Sequence, residues 1–311
     1  MLRKLIIATF VAQVFVGLAH AQAFNERNTS PFDPSIEDLT STDEPPMLGL
    51  HWSRDFYGSA QLKRKLQNEN MTFHGGKIMT SSTVKSIFWG TSWGNPGDKI
   101  TGMDSFYQGW GNSNYSKTTT EYTGTNGTVG ASSTYQGHSV DLSAASGGGS
   151  TSAILAEVCK VVGATADPSG NGYYPVYTDV PRGNAGYCAW HSAGSCNGTP
   201  VQFAFFWKLD GDAGCDPVDT SGLHSQGLSA IANVSAHELA EAMTDPANPG
   251  AWYDAAGSEN GDKCAWTFGG PLATFSNGSR WKVQGEWSNA AYTAGTGYPS
   301  SSGARGCLGG L

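Results

Sequence analysis

The chain is short of charge, and of positive charge above all. Asp, Glu, Lys and Arg make up 14% of its 311 residues, with 18 Lys and Arg against 26 Asp and Glu. Two of those cations, Arg3 and Lys4, fall at the extreme N-terminus. So acidic a surface argues against nucleic acid or an anionic membrane as a partner. No C-x-x-C pair occurs, which argues against a cysteine-based zinc site. There is no G-x-S-x-G nucleophile elbow, no phosphate-cradling glycine-rich loop and no dinucleotide fingerprint. No internal repeat is visible. A single long apolar run exists, Leu5 to Leu18, and it falls short of the ~20 residues that span a bilayer.

That run is informative by its flanks. Arg3 and Lys4 precede it, and the small residues Ala19, Ala21 and Ala23 follow at a spacing that signal peptidase accepts. Residues 1–21 therefore read as a signal peptide, with a retained membrane anchor as the rival. The mature chain then starts near Gln22 or Phe24 and is expected to be secreted and extracellular. Residues 22–72 are polar, with Pro, Asp and Glu and little periodicity, and read as a leader or propeptide-like segment, loosely ordered. Residues 73–311 read as a single globular domain. Glycine is abundant, 42 residues, as in a loop-rich exported protein.

Six cysteines, Cys159, Cys188, Cys196, Cys215, Cys264 and Cys307, behind a signal peptide read as disulfides. The expected pairs are Cys188 with Cys196 as a local loop and Cys264 with Cys307 as a clamp on the C-terminal segment. Val84–Gly90, Tyr173–Val180, Val201–Leu209 and Trp281–Gln284 read as strands, with short strands near Tyr122 and His138–Leu142. Asp98–Trp110 and Ser152–Val162 carry apolar residues at helical spacing. A long helix is expected from Ser225 to Thr244, stopped by Pro246. The fold class expected is α+β: a mixed β-sheet with packed helices, disulfide-stabilised.

Chemistry is concentrated in that long helix. His237 and Glu241 stand four apart, so they share one helix face and can grip one divalent cation. Glu238 stands beside them, where the general base of the H-E-x-x-H zinc peptidases stands. Here the motif is H-E-x-x-E, and the second carboxylate would weaken zinc as a Lewis acid. A third ligand is expected in Glu259, whose distance from Glu241 resembles the gluzincin spacing, which makes a zincin-like arrangement an option. Asp245 and Asp262 are rival ligands or supporting partners. Zinc is the leading metal and calcium the rival. The bland alternative makes Glu238 and Glu241 exposed helix residues and His237 an ordinary hydrogen-bonding histidine. His74 reads as a turn residue, His191 as a loop residue, and His224 as lying near the helix N-terminus. The numerous tryptophans read as core, with a sugar-stacking platform as the alternative.

Several short segments, in order, resemble the phosphate-induced protein family, called EXORDIUM-like in plants. They are Phe73-His74-Gly75-Gly76-Lys77-Ile78-Met79-Thr80, Ser86 to Gly90, Lys117-Thr118-Thr119 to Tyr122, Tyr173 to Cys188, Ala236 to Pro246, and Cys264-Ala265-Trp266. The resemblance spans about residues 73–307. It implies an extracellular or cell-wall-associated protein and carries no established reaction. The plant members lack the His and Glu pair of this helix, so their growth-signalling role need not transfer; the resemblance is to a microbial branch that has it. The expectation is a secreted metal-dependent hydrolase, peptidase-like, acting on a peptide or cell-wall substrate. The alternative is a non-catalytic extracellular protein with a structural or vestigial metal site.

Overall fold

The computed structural model describes residues 45–57, 70–247, 249–270 and 272–310. The expected signal peptide and most of the expected leader lie outside the described residues. Among the described residues no helix is long and apolar enough to cross a membrane.

The core is a six-stranded mixed sheet. Its strands are β1 (Gly49–Trp52), β2 (Ser82–Trp89), β3 (Ser133–Asp141), β4 (Gly172–Pro181), β5 (Tyr187–Cys196) and β6 (Thr199–Lys208), in the order β1-β5-β6-β4-β2-β3. The pairs β2·β3, β2·β4 and β4·β6 are parallel, while β5 runs antiparallel to both β6 and β1. β4, β6 and the second half of β2 are largely apolar and aromatic runs because both faces of the sheet are covered. β5 and β6 are joined by Asn197-Gly198, both at positive φ, the turn whose twist matches a tight hairpin.

Three helices cover the sheet. α1 (Lys99–Trp110) buries Ile100, Met103, Phe106, Tyr107 and Trp110, the residues its periodicity predicts. α2 (Thr151–Val162) lays Leu155 against Gly194 of β5. α3 (Gln226–Thr244) packs on the other face, because Glu241 meets His191, an odd number of residues from Gly194 along the strand. α3 starts where Ser225 accepts a hydrogen bond from the Leu228 amide and stops at Thr244, two residues before Pro246. Asp98, just ahead of α1, accepts from both the amide and the hydroxyl of Ser225 and so ties the two helix starts together.

α3 is buried on all sides from Gly227 to Thr244, which marks a central helix rather than a surface one. Its many alanines allow close approach from both neighbours. The bland alternative, an exposed helix face, is thereby excluded: Glu238 and Glu241 have no exposure at all.

Three expectations are corrected. The ordered fold begins well before Phe73: residues 45–57 are part of it, and β1 extends the central sheet beyond β5. Cys188 does not pair with Cys196. The disulfides are Cys159–Cys196, Cys188–Cys215 and Cys264–Cys307, so only the C-terminal clamp is as expected. Cys188 and Cys196 sit near opposite ends of β5, and at about 3.3 Å per residue an extended strand holds them some four times too far apart to bond. Finally, Trp281–Gln284 is not one strand: only Arg280–Trp281 pairs, and Gln284 turns into the interior.

Candidate metal centre

Four elements meet at one buried point. α3 contributes His237, Glu238 and Glu241. β5 contributes His191. The turn after α3 contributes Glu259, and β1 contributes Gly49 and His51. His191, His237, Glu238 and Glu241 have no solvent exposure, and Glu259 has 2%.

Their ligand atoms form two overlapping triads, His237 with Glu238 and Glu241, and His191 with Glu241 and Glu259; within each, the atoms lie within 4.8 Å of one another. His237 Nε2 lies 3.1 Å from Glu241 Oε1. His191 Nε2 lies 3.4 Å from Glu259 Oε1 and 3.7 Å from Glu241 Oε2. These approaches are close but off the hydrogen-bond line. Both ring nitrogens of His191, His237 Nε2 and Glu259 Oε2 make no hydrogen bond.

Two glycines make the approach of the surrounding backbone possible. A Cβ on Gly49 would stand 2.3 Å from Glu241 Oε2 and 2.5 Å from His191 Nε2. One on Gly261 would stand 2.7 Å from His237 Nδ1 and 3.0 Å from Glu241 Oε1. Any other residue at either position would press on these polar atoms.

The surrounding network is firm. Glu259 is the N-cap of a one-turn helix, Asn260–Lys263, and forms a reciprocal capping box with Asp262. The Asp262 amide donates to Glu241 Oε1 at 2.9 Å. Asp262 is thus a positioning residue, and it stands outside both triads. Asp245 also stands outside them; it accepts from the Ala251 amide, and burial pushes its carboxyl up to about 8. Gln284 reaches in from the C-terminal segment. Its Nε2 donates to Gly261 O at 2.8 Å and to His237 Nδ1 at 3.0 Å, while its Oε1 accepts from His51 Nε2 at 3.0 Å and from the Trp266 amide.

Burial sets the protonation of the site. It pushes His237 down to about 4 and His191 down to about 3, the latter helped by the neighbouring His237, so both rings are neutral at pH 7. Burial, then the charge of Glu241, pushes the Glu238 and Glu259 carboxyls well above the usual range. Ionised, each would cost several kcal/mol in this setting without a counter-charge.

A divalent cation fits this donor set. Neutral imidazoles and carboxylates are the groups that ligate one. With bonds of about 2.0–2.1 Å, neighbouring ligands of a tetrahedral zinc stand about 3.3–3.4 Å apart, close to the 3.1–3.7 Å measured here. A cation would also supply the missing partners of the buried ring nitrogens and oxygens.

Of the other candidates, His74 stacks on Tyr253 and His224 on Trp281, and neither belongs to the two triads. Trp89, Trp93, Trp110, Trp207, Trp281 and Trp287 are buried, and Trp252 and Trp266 are partly so; none forms an exposed platform. Sequence reading missed His191, placing it in a loop because it lies between two cysteines. It also missed His51 and Gly49, which fall in the segment read as a leader. The unbroken apolar and aromatic run Tyr187-Cys188-Ala189-Trp190 was the available sign of a strand. No family model, no curated protein and no solved structure matches this chain.

Proposed function

We propose that this is a secreted metal-dependent hydrolase, peptidase-like, of an EXORDIUM-like kind. The observation that carries the reading is the buried cluster of Glu238, Glu241, Glu259, His191 and His237, in which His191, His237 Nε2 and Glu259 Oε2 offer unpartnered atoms that match a divalent cation. The carboxylates Glu241 and Glu259 and an imidazole are the metal-binding groups; His237, from the motif helix, is the imidazole that the H-E-x-x-E pattern nominates. Zinc is favoured over calcium because nitrogen donors are present. Three disulfides suit an oxidising, extracellular compartment.

When bound, such an ion supplies Lewis acidity and a water acidic enough to deprotonate near neutral pH. Glu238 is the proton-transfer group. It is buried and in contact range of the motif pair rather than turned to solvent, so it can take the proton of the attacking water and pass it to the leaving group. Asp262 and the one-turn helix hold Glu241 and Glu259 in place. The motif helix lying against a mixed sheet supports a zincin-like arrangement.

One observation favours a second reading, a non-catalytic extracellular or wall-associated protein with a structural metal. β1 lies directly over the cluster, and structural sites are closed whereas catalytic ones keep an open position. Hydrolysis of a broad peptide and ester panel, with and without chelator, separates the two. Metal-dependent turnover supports the hydrolase; bound metal without any turnover supports the structural reading.

A further inference from the structure

The two histidines of the cluster are not equivalent. His237 is committed through its other nitrogen. Gln284 is oriented by four contacts: its Nε2 donates to Gly261 O, and its Oε1 accepts from His51 and from the Trp266 amide, which leaves Nε2 to donate to His237 Nδ1 as well. An imidazole whose Nδ1 accepts a hydrogen bond carries its single proton on Nε2. A histidine that binds a metal through Nε2 needs the reverse, its single proton on Nδ1 and Nε2 bare. Turning the Gln284 amide over would set its oxygen against Gly261 O.

His191 carries no such commitment. It is fully buried, both its ring nitrogens are without hydrogen bonds, and Nε2 faces Glu259 Oε1 and Glu241 Oε2. A buried imidazole left without partners is costly, so its position asks for a ligand. Gly49, its partner across the β1–β5 ladder, leaves His191 Nε2 and Glu241 Oε2 clear where any Cβ would crowd both. Glu241 is turned to suit. Its Oε1 receives the Asp262 amide and faces His237, while Oε2 faces His191.

We propose that the cation of the reading above, on which this inference rests, is ligated by His191, Glu241 and Glu259, and that His237, whose Nε2 stands 3.1 Å from Glu241 Oε1, is a positioning residue packed against that ligand. The ion then bridges the sheet, the central helix and the capping turn, and the histidine of the H-E-x-x-E motif stands behind the ligand rather than in the ligand sphere.

The test uses the full secreted chain, stripped with chelator and reloaded with Zn²⁺, in wild-type, His191→Asn and His237→Asn forms, with circular dichroism confirming each fold. The expected result is one equivalent of zinc in wild type, no stoichiometric zinc in His191→Asn, and retention in His237→Asn with affinity reduced by about 10–100-fold, as for loss of an outer partner. ¹⁵N NMR of histidine-labelled wild type gives the same answer without substitution: zinc should move the Nε2 resonance of His191 and leave His237 Nε2 protonated. Zinc retained by His191→Asn but lost by His237→Asn, or a metal-shifted His237 resonance, overturns the assignment and leaves the metal-dependent reading intact. Zinc lost with His191 but no hydrolysis by any form upholds the assignment and removes the hydrolase. Wild type that takes up no zinc removes both.

Discussion

Gly49 and His191 stand opposite one another across the β1–β5 ladder, and the space that a Cβ on Gly49 would take lies 2.5 Å from His191 Nε2. The polar cluster and the strand above it are therefore one construction. Gly49→Ala should disturb both. Neither contacting group is a free side-chain end at the surface, so relief must come from moving β1 or the cluster. Overpacking of this kind costs about 1–3 kcal/mol, readable by urea unfolding, and bound zinc should fall in parallel. An unchanged midpoint with full zinc would show that β1 does not press on the site.

Glu238→Gln removes the proton acceptor and keeps the shape. Zinc content should stay at the wild-type level, while turnover of any peptide or ester the wild type cleaves should fall about 10²–10⁴-fold. Equal activity would take Glu238 out of the chemistry.

Peptide mapping under non-reducing conditions should recover Cys159 linked to Cys196 and Cys188 linked to Cys215. Replacing Cys188 and Cys215 together by alanine should lower stability by about 2–4 kcal/mol, measured by denaturant unfolding. A Cys188–Cys196 peptide would contradict the extended β5.

Glu286 offers a pH test at a group that is not itself a proposed ligand. It is fully buried, accepts from Tyr115 Oη at 2.7 Å, and burial raises its carboxyl well above the usual range. A raised folded value means that the native state holds the proton more tightly than the unfolded chain. The stabilisation is complete below about pH 4.5, and it is lost as pH rises through the folded value. In chelated protein, Glu286→Gln should flatten the fall in melting temperature between acid and alkaline pH. A parallel offset at every pH would show that Glu286 does not titrate in this range.

Much of this was legible in the sequence, unevenly. The limits of α3 were readable because Ser225 can cap and Pro246 must stop it. α1 declared itself through five apolar residues on one face. The His237, Glu238 and Glu241 group was visible as a spacing. His191 was not, because β5 mixes Cys, Ala, Ser and Gly with its aromatics and its pattern is dominated by the cysteines at either end. β1 was hidden for a different reason. It is four residues long and sits at an edge, so its strand character comes from pairing with β5 rather than from its own propensity. The direction in which Gln284 points its amide, which separates the two histidines, is a property of tertiary contacts alone.

The central claim is that the buried cluster is a divalent metal centre, and elemental analysis of the purified chain tests it most directly. One equivalent of divalent metal per chain is expected. Chelation should lower the melting temperature, since metal at a hundred times its dissociation constant stabilises by about 2.7 kcal/mol. A metal-free protein whose melting temperature is the same with chelator as with added zinc would contradict the account.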